Sequence, residues 1–569
     1  MAQMISVNGC VQKAAFAAAM AAGLALGAGA AWAAGLQEPA AAEVVIAPDQ
    51  ASLRAAMPEA GSEIAAFYER RAYQPLWLGD NGAARRDALL AALRSAADHA
   101  LPVSRYNPDG LARRMRAAST AADRAQAEIA LTEAYLAYAG DLSSGLLTPR
   151  EVDRELYVYP VKRPLGDLLN GMSWAGDPAK WLASLAPKSA DYAKLVARYA
   201  TYRDMGGAGA WGESLPKHRT LKAGDRSEVV PLLRARLTAM GFHAADTLTA
   251  SDTVVVATAE TANDSGAPLV PDPMVFDPAL EEAVRLFQAR HGLNEDGVVG
   301  PATRGAVNTS ATERARQIAV NLERMRWLNR DLGEKHVYVN IASFDMMVIE
   351  RGEPVFESRV VVGKSRRHRT PEFSDEMEYM VVNPSWNVPY SIASKEILPK
   401  LQENPAYLEE NNMTLRGVDD PSAIDWSEVT RSTFPGRIRQ SPGAGNALGE
   451  VKFMFPNDHS IYLHDTPSKS LFARDRRAFS HGCIRVQRPQ EFAHFLLSAQ
   501  RDDAKAYYDR QIAHGRESWL HLDEHVPVHL TYRTAWVERA GEDQFRADIY
   551  GRDAKVLAAL SGAGVDLPQ

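Results

Sequence analysis

The stretch "AFSHGCIRVQRP", residues 478–489, sets Cys483 behind Ser480, His481 and Gly482. A cysteine attacks as its thiolate, and an ordinary thiol pKa near ~8.5 leaves little of that form at neutral pH without a base or converging N–H groups. Two histidines stand close enough in sequence to serve. His464 lies in "IYLHDTP", at the end of an expected strand, and His481 lies two residues before the thiol. Alternation along a strand puts i and i+2 on one face, so His481 and Cys483 can point together. Gly482 lets a backbone approach closely, and its N–H and that of Cys483 could face a substrate oxyanion. Three readings fit these residue types: a core cysteine, a zinc site built from His459, His464, His481 and Cys483, or a nucleophile. The polar neighbours argue against the core reading. The zinc reading lacks both a common ligand spacing and an HExxH helix, which favours the nucleophile.

These residues need elements to hold them. The chain has 569 residues, 46% of them hydrophobic and 24% charged, which predicts a soluble multidomain protein. Its formal charge of -7 argues against nucleic acid as a partner. At the N-terminus, Lys13 precedes an alanine-rich apolar run ending in Ala31-Trp32-Ala33, the pattern of a secretory signal peptide cut near residue 33. Cleavage would remove Cys10, leave Cys483 alone and rule out an internal disulfide. Elsewhere no run reaches the ~18 apolar residues of a membrane span, so no transmembrane helix is expected after cleavage.

Residues 45–215 read as a helical scaffold. Leu89, Leu90, Leu93 and Ala97 share a stripe, and "AQAEIALTEAYLAYAGDL" repeats the pattern with Gly140 as its stop. Residues 218–310 form a second unit: two amphipathic helices flank an Ala/Thr/Asp/Pro-rich surface loop, and "LNEDGVVGPAT" turns into a third helix. Phe287, Gln288, Gly292, Leu293, Asp296, Gly297, Gly300 and Thr303 resemble the pattern of the small three-helix peptidoglycan-binding domain, mostly at positions that serve the fold. A connecting helix over residues 311–335 places Ile318, Leu322, Met325 and Leu328 near one face. From residue 336 the period becomes two, predicting a mostly β domain to residue 540, with a turn at Arg351–Pro354. A helical lid or subdomain interrupts it at about 390–450, and residues 541–569 are left as a C-terminal tail. The fold class is therefore multidomain α+β.

The segment "HDTPSKSLFARDRRAFSHGCIRV" resembles the signature of the L,D-transpeptidases: a histidine, fifteen residues, then [S/T]-H-G-C-x-[R/N]. Further segments between residues 321 and 553 are similar to the large periplasmic branch of that family, as is the order of helical region and wall-binding module. The resemblance implies that Cys483 is the nucleophile, His464 its base and the Asp465 backbone carbonyl the group that fixes the imidazole. It implies oxyanion donors at Gly482, Cys483 and Ser480, with His481 supporting the site. It also makes Arg485 a receiver for a stem carboxylate, Tyr462 a wall of the substrate groove and Trp386 a more distant candidate for that groove. The implied reaction forms a thioester with a peptidoglycan tetrapeptide stem, releases D-alanine and makes a 3→3 cross-link, without metal or cofactor. Water or a protein as acceptor would give an L,D-carboxypeptidase or a protein-attachment enzyme. A silent catalytic domain would leave a wall-binding scaffold. Carbapenems are implied covalent inhibitors, and the periplasm is the implied location. Water exclusion is expected from residues 394–428 and the basic loop "FARDRRAF", with Arg474, Arg476 and Arg477.

Overall fold

The computed structural model describes residues 47–569 apart from 60, 208, 244–271 and 366. The expected signal peptide and almost all of the expected surface loop lie outside the described residues.

The N-terminal region is helical. Helix Ala121–Ser144 starts in a capping box, in which Thr120 and Asp123 satisfy each other's backbone N–H groups. It runs through Gly140, the predicted stop, and ends at Gly145. One helical glycine costs only about 1 kcal/mol, so burial of the flanking Tyr138, Ala139 and Leu142 carries the helix past it. Gly145 has φ +96, and any side chain there would strike the indole of Trp327. Glu128 is fully buried on this helix; it accepts the hydroxyl of Tyr68 and the N–H groups of Leu76, Trp77 and Leu78. A carboxylate thus fastens the "QPLWL" turn to the core.

The second unit carries helices Val229–Ala239, Pro278–Arg290 and Pro301–Asn308. Gln288 donates to Asp296, Val298 and Thr303 and accepts from the Gly297 N–H, a closed network that consumes most of the motif's polar groups. These positions hold the fold.

Helix Ala311–Trp327 was expected to show one apolar face, yet it is buried nearly all round. Its charges are neutralised internally: Arg326 pairs with Glu323 at 2.6 Å, both fully buried, and Arg324 pairs with Asp553 at 2.5 Å.

Fourteen strands follow among the described residues. They are β1 Lys335–Asn340, β2 Asp345–Glu350, β3 Glu353–Gly363, β4 Phe373–Val382, β5 Trp386–Asn387, β6 Met413–Arg416 and β7 Arg437–Gln440. Then come β8 Val451–Met454, β9 Leu463–His464, β10 Ala478–Ser480, β11 Ile484–Val486, β12 Ser518–Thr531, β13 Ala535–Val537 and β14 Asp543–Phe545. Nine of them form one sheet in the order β10-β3-β11-β9-β8-β4-β12-β1-β2. Alternation sends Met380, Val382, Phe453, Leu463, Ile484 and Leu520 into one core with Phe492, Leu496 and Tyr508 of helices Pro489–Ser498 and Ala504–Ala513. The opposite face is left for the residues between them.

Strands β5–β7 make a separate three-stranded sheet. With short helical turns they bury their own core of Leu401, Trp426, Phe434 and Ile438, so the lid is a small folded unit. Residues 541–569, expected as a tail, are structured. Strand β14 pairs with β13, and helix Arg552–Gly562 buries Val556 and Leu560 against helix Ala311–Trp327.

Candidate active site

The site lies on the sheet face opposite the two helices. Strands β9 and β11 run parallel with His464 opposite Arg485, and β8 places Lys452 opposite His464. Cys483 precedes β11 and shares the face of Arg485, as Tyr462 shares that of His464. The Ile484 N–H donates to the Tyr462 carbonyl at 3.1 Å, which fixes the thiol beside the tyrosine.

The imidazole is buried, and its Nδ1 lies 2.5 Å from the Asp465 backbone oxygen. A carbonyl only accepts, so Nδ1 carries the proton and Nε2 is the basic nitrogen. Burial first, then the cations of Arg485 and Lys452, hold the pKa of His464 down at about 3, against the bond to Asp465. Burial also pushes the Cys483 thiol up to about 11, opposed by hydrogen bonding from Tyr462 and by Arg485 and Lys452. Both groups are therefore neutral at rest. The thiol donates to the Ser460 carbonyl at 3.5 Å rather than to His464. Ser460 itself sits at φ +55, a conformation that costs a non-glycine residue energy and marks a position fixed by its surroundings.

Ser480 does not offer a free hydroxyl. It donates to the Cys483 carbonyl at 2.5 Å and accepts the Gly482 N–H at 3.1 Å. Those two bonds correct the expectation that Ser480 and the Gly482 amide face the oxyanion: they shape the turn instead, and the Cys483 N–H is the member of that set outside them. Gly482 has φ +125, which a side chain would strain. Its carbonyl accepts from Thr370 Oγ1 at 2.7 Å, and the same oxygen accepts the Gly363 N–H at 3.0 Å. Thr370 in turn is held by Tyr550 and Arg552 from the C-terminal region.

Arg485 is partly buried, joins no ion pair among the described residues, and has an Nε with no partner. Lys452, missed by the sequence reading, flanks His464 on the side away from Arg485 as a half-buried ammonium whose pKa burial lowers, with Glu517 and the Cys483 thiol pulling the other way. Its alternation in "VKFMF" was the available signal. The Tyr462 ring lies 5.6 Å from that of His464, lining the same face.

His481 points away from the thiol pair. Its Nε2 meets Glu396 Oε1 of the lid at 2.5 Å, and its ring packs edge-on against His368 at 4.5 Å. Glu396 stands in a π-type turn over Ala393–Ile397, a local irregularity that aims its carboxylate. Trp386 pairs through β5 with Gln440 and packs against the lid core. His459 packs at 3.9 Å against Tyr157 of the helical region. The four residues of the zinc reading thus face different partners, and no metal-holding cluster of His, Cys, Asp and Glu occurs among the described residues. In the basic loop, Arg474 and Arg476 are exposed. Arg477 corrects the expectation for that loop: it is buried, with bonds to the carbonyls of Phe344 and Arg474 and an ion pair to Asp345.

Residues 334–515 match the family described as the L,D-transpeptidase catalytic domain. The chain carries an L,D-transpeptidase catalytic domain. Residues 62–198 match a family described as a scaffold domain, and residues 263–307 match one described as a putative peptidoglycan binding domain. A curated relative from Haemophilus influenzae, named "Putative L,D-transpeptidase", is 36% identical over 247 residues, 43% of this chain and 49% of the relative. A second, "N-acetylmuramoyl-L-alanine amidase CwlM" of Mycobacterium tuberculosis, is 36% identical over 93 residues, 16% of this chain and 19% of that protein. The chain thus spans about half the length, or less, of these curated relatives. A solved L,D-transpeptidase from Stackebrandtia nassauensis shares 13% identity at a TM-score of 0.20, covering 56% of this chain and 95% of that one. The transpeptidase domain's matched range stops short of Tyr550 and Arg552, which nonetheless brace the turn that carries Cys483.

Proposed function

We propose that this chain is a peptidoglycan L,D-transpeptidase that joins stem peptides by 3→3 cross-links through a thioester on Cys483. The observation that carries the reading is the setting of Cys483, just before β11, next to His464 on the adjacent parallel β9, with His464 Nδ1 tied to the Asp465 carbonyl.

The reaction starts from the neutral pair. The thiol turns from Ser460 to Nε2 of His464, which takes its proton as sulfur attacks the carbonyl between the third stem residue and the terminal D-alanine. The N–H of Cys483 stabilises the resulting oxyanion. His464 then gives the proton to the departing amine, and D-alanine leaves the thioester behind. An acceptor amine attacks that thioester, His464 takes the amine's proton, and the thiol is restored.

Burial first and its cationic neighbours second make an imidazole held at about 3 a poor base, and neutralising those neighbours would restore part of its basicity. A stem carboxylate seated between Arg485 and Lys452 would do this, raising the basicity of His464 only when substrate is bound. The lid reaches the site through Glu396 and His481 and is suited to excluding water, which separates transfer from hydrolysis. Loss of that exclusion would yield the L,D-carboxypeptidase outcome. Carbapenems offer the thiol a strained carbonyl and should acylate Cys483. The N-terminal segment is read as an export signal, and the wall-related domains support a periplasmic location. Among the described residues no helix is long and apolar enough to cross a membrane.

The test is incubation of the chain lacking residues 1–33 with disaccharide-tetrapeptide, read by mass spectrometry beside Cys483→Ala. A dimer short of one D-alanine, absent in the variant, supports the proposal. Tripeptide alone supports the carboxypeptidase. No product, with no carbapenem adduct on Cys483, would leave a non-catalytic wall-binding scaffold.

A further inference from the structure

A second basic region lies apart from Cys483. Where the helical region, the end of helix Ala311–Trp327 and the sheet meet, they leave a cavity of about 500 Å³. Tyr338 of β1 and Thr531 of β12 belong to its wall, on strands four and three places from β9 in the sheet order. Neither Cys483, His464, Lys452 nor Arg485 lines it.

Five cations stand on that wall, Arg163, Lys188, Arg324, Arg330 and Arg533, against three carboxylates, Asp191, Asp331 and Glu372. The carboxylates are already engaged. Asp191 holds Arg533 at 2.6 Å, Glu372 holds Arg552 at 3.0 Å, and Asp331 accepts the Gly333 N–H at 2.9 Å. Arg324 gives one nitrogen to Asp553 and leaves Nε and Nη2 without an acceptor, and the Arg533 Nε has none either. Buried donors are nearly always satisfied, so this wall carries more positive charge than the protein answers. Those deep nitrogens have no open surface and contribute field rather than contacts. The cations open to the cavity are Arg163, Lys188 and Arg330, which join no carboxylate among the described residues. The walls around Arg330 lower its pKa, and no carboxylate opposes them. Val158, Met325, Leu328 and Leu332 give the same cavity an apolar side.

We propose that this cavity binds a small polycarboxylate, with its acid groups at Arg163, Lys188 and Arg330 and its carbon skeleton against the apolar side. Size and charge select that class. A volume of about 500 Å³ falls among small-molecule sites and exceeds what a lone inorganic anion fills. Three unanswered cations call for more than one acid group, and two of them are guanidinium forks suited to paired carboxylate oxygens. The transpeptidase reading supplies one source: the tripeptide left when a tetrapeptide stem loses its D-alanine, with several carboxylates on an aliphatic skeleton. A soluble tricarboxylate such as citrate is the other. The wall source rests on that reading, and the site itself does not.

Calorimetric titration of the chain lacking residues 1–33 tests this with three probes: the stem tripeptide, citrate and inorganic phosphate. The variant is Arg163→Gln/Arg330→Gln. Arg113→Gln/Arg116→Gln, at exposed residues outside the cavity, is a control of equal charge. Loss of two charge-assisted contacts should weaken polycarboxylate binding at least tenfold, with Tm unchanged and the control within about twofold of wild type. Lys188→Gln, a change at an exposed residue, should give a severalfold loss by itself. The catalytic groove takes the same tripeptide, so the readout for that probe is the bound equivalent that the variant loses. Tripeptide binding with this pattern supports the site and the wall as its source. Citrate binding with this pattern, without tripeptide, supports the site and removes the wall source. Binding of phosphate alone overturns the ligand class. No binding at millimolar probe, unaltered affinity in the variant, or equal weakening in the control overturns the site. If the chain shows neither turnover nor a carbapenem adduct on Cys483, the transpeptidase reading fails, while citrate binding and its loss in the variant still decide the cavity.

Discussion

The resting state of Cys483 can be probed by pH alone. A thiol pushed up to about 11 is only about 0.03% thiolate at pH 7.5, against about 10% for an ordinary cysteine near 8.5. The ~300-fold deficit is partly offset because a more basic thiolate is intrinsically more nucleophilic, by about half a log unit per pKa unit. The net expectation is alkylation of Cys483 by iodoacetamide roughly 20-fold slower than that of a free thiol at pH 7.5. Its logarithm should climb with a slope near one to at least pH 10. Labelling of the Cys483 peptide, followed by mass spectrometry on the chain lacking residues 1–33, measures this directly. Acylation by a carbapenem should behave differently, because His464 takes the proton during attack. His464 is neutral above about 3 and the thiol is protonated below about 11, so that rate should be flat between pH 6 and 9. An alkylation plateau at or below pH 8.5 would refute the reasoning, since it would mean a thiolate–imidazolium pair already formed at rest.

Thr370→Val keeps shape and removes the hydroxyl that joins Gly363 to Gly482; two buried groups lose partners, so a loss of about 2–4 kcal/mol in denaturant unfolding is expected, with kcat falling further as the nucleophile turn loosens. Arg552→Met strands the buried Glu372 carboxylate and should cost about 3–5 kcal/mol, read from the same unfolding curves. Lys452→Met removes a cation that lowers the thiol's pKa, so alkylation of Cys483 at pH 8 should slow several-fold while the slope with pH persists. His464 has a folded pKa below its unfolded value near ~6.5, so its contribution to stability is whole above that pH and is lost as pH falls toward about 3. The drop in Tm between pH 7.5 and 5 should therefore be smaller in His464→Gln.

Much of this site was legible because it is local. The spacing of His464 and Cys483, the alternation in "CIRV" and the glycine at 482 need only short-range rules, and the sheet places them on one face as alternation requires. What was not legible depends on distant chain. Tyr550 donates to the Gly363 carbonyl across 187 residues, and no periodicity announces such a bond. Arg477 reads as one of three loop arginines, but a guanidinium reaching the carbonyls of Phe344 and Arg474 is a structural clasp. The structured C-terminus had a weak signal in "AKVLAAL", where Val556 and Leu560 are four apart, but an eleven-residue helix after a glycine turn is a faint pattern. Ser480 and Gly482 misled for another reason: their types suit an oxyanion hole, yet the Ser480 hydroxyl takes up the Gly482 N–H and donates to the Cys483 carbonyl.

The braces around Cys483 indicate why a catalytic domain would be embedded in so long a chain. The nucleophile turn is held from behind by Thr370, itself fixed by Tyr550 and Arg552, while Arg552 also closes on Glu372, whose carbonyl accepts the Tyr157 N–H of the helical region. Tyr157 in turn packs on His459, next to the Ser460 carbonyl that receives the thiol. The thiol's resting position is thus bounded on one side by the C-terminal segment and on the other by the helical region. Truncation to residues 334–534, which keeps β12 in the sheet, removes both supports and should expose the buried Glu372 and the backbone of Thr370. If that fragment, once shown folded by its near-UV spectrum, acylates with carbapenem at the full-chain rate, the braces are dispensable. A rate at least tenfold lower, with the protonation profile unchanged, would make the long chain a holder of geometry rather than a source of catalytic groups.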